Sequence, residues 1–307
     1  MNAIDYVKKA LPAITKSELS PLTQNAESIA LASSLFEDEA SRNAFQKELA
    51  FMLLRRLIPG PDAVKYAGNV THEHWVNAIE KARTLIAKGD IPKLDLPLSA
   101  QSWEIPAMYT STFIFNQYST SNVTPENTVF LDCGGCCGET AVWAVMHGAK
   151  KVYCFEPNPI LTPYLQSNLQ KYCQGKAGHV PYGVGEKEGD FTVELSHESI
   201  GSAQLVPAAK DTPRDQIIPV TTIDNWCTKN NIIPGFIKMD IEGAENAALK
   251  GAAKTIAAHK PKLAICLYHS LNDMWEIPIL IKQIMPNYRL WCRKNAEAVE
   301  FVLYASV

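Results

Sequence analysis

Val129-Phe130-Leu131-Asp132-Cys133-Gly134-Gly135-Cys136-Cys137-Gly138-Glu139-Thr140 runs from an apolar segment through a glycine turn into a helix start. It reads as a strand over 128–131, a tight loop, and a helix over 139–147. Glycine lets backbone approach a ligand closely, and the first turn of a helix presents N–H groups with no partner inside the helix. The spacing Gly134-x-x-x-Gly138 differs from the G-x-G-x-x-G that accommodates a dinucleotide pyrophosphate, so it favours a ligand without phosphates. S-Adenosylmethionine fits, because its amino acid end offers an ammonium to Asp132 and a carboxylate to the loop N–H groups. Gly134, Gly135, Cys136, Gly138, Glu139 and Thr140 are therefore candidate cofactor residues. An ordinary strand-to-helix turn remains the alternative for this motif alone.

The chain around this motif alternates short β-rich runs with helical stretches, the pattern of a parallel sheet covered on both faces. Strands are expected over 151–155, 180–184, 191–195, 217–221, 236–239 and 262–268, and helices over 160–172, 245–257 and 277–285. Runs over 288–292 and 299–304 read as a terminal hairpin, and 196–216 reads as a polar excursion. Upstream, Phe45, Leu49, Met52 and Leu53 mark a helix over 41–58 that stops at Pro59-Gly60-Pro61. A further helix spans 71–88. Residues 89–99, with Pro92 and Pro97, read as an extended linker, dividing a helical N-terminal region, 1–100, from an α/β domain, 101–307.

Bulk properties narrow the function. With 307 residues, 47% of them hydrophobic, the chain can bury a full core. Lys plus Arg number 29 against 32 Asp plus Glu, which supplies no basic footprint for nucleic acid. The first residues lack the layout of a secretory signal and no apolar run is long enough to span a membrane, so a cytoplasmic protein is expected. The eight cysteines lie mostly within apolar runs and read as reduced and buried. No zinc-ribbon spacing surrounds Cys133, Cys136 and Cys137.

Three further constellations carry chemistry. Glu156 ends the run 151–155 and precedes Pro157-Asn158. A carboxylate at a strand end, roughly 20 residues after a glycine loop, accepts hydrogen bonds from both ribose hydroxyls. Alone, it would be read as an acid at a helix N-terminus. Asp240 and Glu242, in Phe236-Ile237-Lys238-Met239-Asp240-Ile241-Glu242-Gly243-Ala244-Glu245, would stand at the carboxyl rim of the sheet, where open α/β sheets bind ligands. Glu245 reads as a cap of the next helix. His269 ends the last parallel strand and could deprotonate an acceptor hydroxyl, since imidazole is readily tuned near neutral pH.

With these segments placed, residues 128–270 resemble the FkbM family of class I methyltransferases. The matching stretches are 131–138, Phe155-Glu156-Pro157-Asn158, Gly185-Glu186-Lys187-Glu188-Gly189, Thr222-Ile223-Asp224 and 237–245. The resemblance implies a doubly wound, Rossmann-like, mostly parallel seven-stranded sheet with its last strand antiparallel. It implies S-adenosylmethionine as donor, Gly134 and Gly138 on its amino acid portion, Glu156 on its ribose, and Gly183 and Val184 along its adenine. It also implies O-methylation of a saccharide or other small hydroxylated metabolite.

The expected catalytic set is Asp240, Glu242 and His269, with His269 as base. A divalent cation held by these three residues is an alternative that the sequence alone does not favour. Competing functions are a nicotinamide-dependent oxidoreductase and a non-catalytic binding protein of the same fold. The partner is expected to be a small-molecule or glycan acceptor, and a homo-oligomer is compatible with the sequence.

Overall fold

The computed structural model describes residues 1–58, 72–97, 104–195, 203–294 and 300–307. The N-terminal part contributes α1 (Ala3–Ala10), α2 (Ser20–Gln24), α3 (Ala26–Ser34), α4 (Glu39–Leu57), α5 (His72–Lys88) and α6 (Glu104–Tyr109), which runs on into a π-helical turn, Thr110–Ile114. β1 (Val129–Cys133), α7 (Glu139–Met146), β2 (Lys151–Phe155), α8 (Thr162–Tyr172) and β3 (Ala177–Val180) follow. Next come β4 (Gly183–Val184), β5 (Gly189–Leu195), β6 (Ala203–Pro207), β7 (Ile218–Thr221) and α9 (Ile223–Asn230). The chain continues through β8 (Phe236–Met239), α10 (Glu245–Lys250), α11 (Ala253–His259), β9 (Lys262–Cys266), α12 (Asp273–Ile284), β10 (Arg289–Lys294) and β11 (Phe301–Ser306).

Seven strands form the main sheet in the order β10-β11-β9-β8-β1-β2-β3. β1, β2, β3, β8 and β9 are parallel, whereas β11 is antiparallel to β9 and to β10. The doubly wound sheet with a reversed last strand is therefore present. Strand order reverses between β1 and β8, and a crevice opens outside their carboxyl ends.

Alternation along each strand builds two apolar layers. Phe130, Val152, Phe236 and Ala264 pack on one face with α7 and α8, while Leu131, Ile237, Leu263 and Ile265 pack on the other with α10, α11 and α12. Burial on both faces explains why these strands read as continuous apolar runs.

Helices α1 to α4 extend the second layer, whereas Ala82 of α5 joins the first. Val7, Phe45 and Leu49 share one apolar cluster with the sheet residues Leu290, Cys292 and Phe301. Glu48 of α4 and Lys294 of β10 form a buried ion pair at 2.5 Å. Residues 89–97 form no helix or strand, as expected, and lie along α8, where Asp95 accepts from Ser167 at 2.6 Å and from Lys171. All eight cysteines are free, and only Cys136 is less than fully buried. No helix among the described residues is long and apolar enough to cross a membrane.

The sequence misplaced three features. The strand expected over 180–184 is two strands, because Pro181 has no N–H to continue the ladder; Tyr182 N instead donates to Val180 O at 2.8 Å. β4 then joins a second sheet, β4-β7-β5-β6. The excursion expected over 196–216 contains β6, an edge strand held by antiparallel pairing to β5. The helix expected over 245–257 breaks into α10 and α11 at Gly251, where a Cβ would overlap the carbonyl oxygen of Gly185. The expected helix stop at 59–61 and the turn of the terminal hairpin lie outside the described residues.

Candidate active site

The glycine turn is shaped by its neighbours. Gly134 has φ +85°, and a Cβ there would overlap the carbonyl oxygen of Asp240, so the loops after β1 and β8 meet only because this residue is glycine. The N–H groups of Gly134 and Gly135 both donate to Phe155 O at 3.0 Å, tying the turn to the end of β2. Cys136 continues at φ +43° and its N–H donates to Oε2 of Glu156 at 2.8 Å. Gly138, at φ +84°, begins α7.

Glu156 sits directly beneath this turn. Its Oε1 accepts from Asn158 N at 2.8 Å, so each carboxylate oxygen holds one backbone donor and keeps lone-pair capacity for another. Burial pushes its carboxyl up to about 7, against the two N–H groups that favour the ionised form. A cleft opens in front of it, lined by Gly134, Phe155, Glu156, Pro157, Asn158, Leu161, Tyr182, Gly183, Val184, Asp240, Ile241, Glu242 and Ala244. Expected contributors from four separate segments thus share one wall.

Six other expected cofactor residues stand behind that wall: Asp132, Gly135, Cys136, Gly138, Glu139 and Thr140. The β1–β8 register sets Asp132 beside Lys238, and their side chains, both buried, pair at 3.2 Å. Asp132 is thereby engaged within the sheet. Lys238 also donates to Gly134 O at 2.6 Å and lies 5.1 Å over the ring of Tyr118. Burial pulls the Lys238 ammonium down, yet Asp132 and Asp240 outweigh it and keep it protonated. Glu139 is buried in the first turn of α7, where burial pushes its carboxyl up to about 8.

The end of that wall after β8 is acidic. Asp240 accepts from Tyr118 Oη at 2.7 Å and Tyr268 Oη at 2.8 Å. Burial opposes its ionisation, but Lys238, His269 and the two hydroxyls prevail and hold its carboxyl below the ordinary range. His269 Nε2 lies 3.4 Å from Asp240 and 3.7 Å from Glu242, and its Nδ1 lies 3.0 Å from Glu245. These are ion-pair distances, yet neither ring nitrogen has an aligned hydrogen bond. Burial lowers the imidazolium's pKa, but Glu245, Glu242 and Asp240 lift it well above its usual value. That shift favours the imidazolium in the ligand-free chain, so His269 would act as a base only once a ligand relieved the surrounding carboxylates.

Glu245 does more than cap α10: its oxygens accept from Ile241 N at 2.7 Å and Gly243 N at 3.0 Å, closing the turn that presents Asp240 and Glu242. Sequence reasoning missed Tyr118, which arrives from before β1, and Lys238, which it treated as part of an apolar strand. It also missed Glu300, whose buried carboxyl is pushed up to about 8 by burial and by Asp240. The only available sign of Lys238 was a lysine inside an apolar run.

Residues 132–295 match the methyltransferase FkbM domain. The crystal structure of methyltransferase FkbM from Methylobacillus flagellatus KT superposes with a TM-score of 0.59 at 23% identity, covering 93% of this chain. This chain spans 60% of the length of that one. Weaker likenesses include precorrin-6y C5,15-methyltransferase from Geobacter metallireducens (TM-score 0.40, 8% identity, 69% of this chain and 92% of that one). An rRNA methylase from Streptococcus thermophilus gives a TM-score of 0.37 at 13% identity, covering 65% and 95% of the two chains. No curated protein matches the chain. A domain match over more than half the sequence, laid on a sheet of the same fold, places this chain in the FkbM methyltransferase family.

Proposed function

We propose that the chain transfers a methyl group from S-adenosylmethionine to an oxygen of a saccharide or other small hydroxylated metabolite. The observation that carries this reading is Glu156, a buried carboxylate at the cleft whose two oxygens are each oriented by one backbone N–H. That geometry suits the two adjacent hydroxyls of a ribose. Gly183 and Val184 line the same cleft and suit the adenine, and the bare backbone at Gly134 suits the amino acid end. Asp132 acts in this scheme through Lys238, as part of the frame that fixes Gly134.

Methyl transfer from a sulfonium is an in-line displacement, and holding the two reactants in line can supply about 7–11 kcal/mol of the barrier. The chain's task is thus chiefly orientation. Asp240, ionised and at the cleft, would accept a hydrogen bond from the acceptor hydroxyl, with Glu242 beside it. An unperturbed aspartate has a pKa of about 4, so it can take that proton only as the new C–O bond forms. His269, which faces Asp240, Glu242 and Glu245, would keep the acidic turn in place.

Incubation with methyl-labelled S-adenosylmethionine and fractionated cell extract tests the reading. Label is expected in a hydroxylated small-molecule or glycan fraction, stable to mild base as an ether is. Label found only on protein or nucleic acid, or in no fraction, would count against it.

A further inference from the structure

We propose that Asp240, Glu245 and His269 form a binding site for one divalent first-row transition-metal cation. One donor atom from each residue lies within 4.8 Å of the other two. Bonds from such cations to oxygen and nitrogen are about 2.0–2.2 Å, which sets donor atoms about 3–4 Å apart around the ion. Side-chain shifts of about an ångström therefore close the set.

Charge points the same way. Asp240, Glu242 and Glu245 surround a single imidazole, and the nearby Lys238 is already committed to Asp132 and Gly134 O. More negative charge is gathered here than the imidazole balances, in a place largely removed from water. Buried charge of one sign calls for a counter-ion.

An independent observation concerns His269 itself. Its side chain is 9% exposed and points into the acids, yet neither ring nitrogen has an aligned hydrogen bond. A histidine placed there only as a salt-bridge partner would direct an N–H along a carboxylate lone pair. A ring whose nitrogens lie close to three carboxylates without an aligned bond to any of them instead suits coordination. The carboxylates are also oriented from behind: Glu245 by the N–H groups of Ile241 and Gly243, Asp240 by the hydroxyls of Tyr118 and Tyr268. Such outer partners fix ligand orientation in metal sites.

One imidazole with two carboxylates suits Mn2+ or Zn2+ better than the all-oxygen environments that Mg2+ and Ca2+ take. Because Asp240 also lines the cleft, the cation would stand beside the acceptor and could acidify its hydroxyl. That consequence rests on the methyltransferase reading; the cation site itself does not.

Titrating Mn2+ into the metal-stripped full chain, without methyl donor, and following free Mn2+ by EPR tests the site. One Mn2+ per chain is expected, and Glu245→Gln and His269→Ala should each weaken binding at least tenfold. Absence of bound Mn2+, or binding that both substitutions leave unchanged, overturns the proposal. Should either variant fail to fold, Mn2+ must still broaden the imidazole resonances of His269 in the histidine-labelled parent chain, and unbroadened signals overturn it equally. A chain that binds Mn2+ but no S-adenosylmethionine keeps the cation site and sinks the methyltransferase reading; the converse result does the reverse.

Discussion

Glu156 carries both an attraction and a cost. Its carboxyl must be ionised to accept from two hydroxyls, yet burial raises it from 4.5 to about 7 in the ligand-free chain. Between those values the folded chain holds a proton that the unfolded chain has lost. This group's contribution to stability is therefore present below about 4.5 and is lost as pH rises through about 7. Ligand binding runs the other way, because a ribose that needs the carboxylate favours the deprotonated state. Affinity for S-adenosylmethionine should rise with pH through about 7 and level off above it, being about thirtyfold weaker at pH 5.5 than at pH 8. Calorimetry across that range checks this, and a flat profile would show that Glu156 does not meet the ligand as a carboxylate.

Where two strands meet, a single side chain couples the frame to the site. Lys238 joins β8 to β1 through Asp132 and holds the glycine turn by Gly134 O. Replacing it by Met would leave Asp132 buried without its partner, and removing one member of a buried pair typically costs about 3–5 kcal/mol. Lys238→Met should therefore lower the denaturant midpoint by that equivalent, whereas an unchanged midpoint would mean the pair is energetically idle. At this scale legibility followed periodicity. β2 and β8 match their expected bounds because strands buried on both faces leave unbroken apolar runs. β6 and the break at Gly251 were not legible, since one depends on edge pairing and the other on a contact with Gly185, far away in sequence. The site shows the same division. Gly134, Glu156, Asp240 and Glu242 could be read because they end strands at the sheet's carboxyl rim. The inward turn of Asp132 and the raised pKa of His269 depend on neighbours brought in by β8 and α10.

For the molecule as a whole, the N-terminal region clasps the sheet from both sides: α1 to α4 cover one face, while Ala82 of α5, Ile91 and Leu94 join the apolar layer on the other. Phe45 and Leu49 belong to the same apolar cluster as Leu290 and Phe301, and Glu48 neutralises the buried Lys294. We propose residue 100 as the boundary of the catalytic segment, while the apolar core runs across it. A fragment of residues 101–307 should then lose the sharp thermal transition of the full chain, and a fragment that melts as cooperatively would mark it as an independent folding unit. The crevice at the strand-order reversal is where all these scales converge. Titration of the full chain with S-adenosylmethionine, alongside Glu156→Ala, tests that convergence most directly: saturable one-site binding by the parent and at least a hundredfold loss in the variant are expected, whereas no binding by the parent, or equal binding by both, would contradict a cofactor site at this crevice.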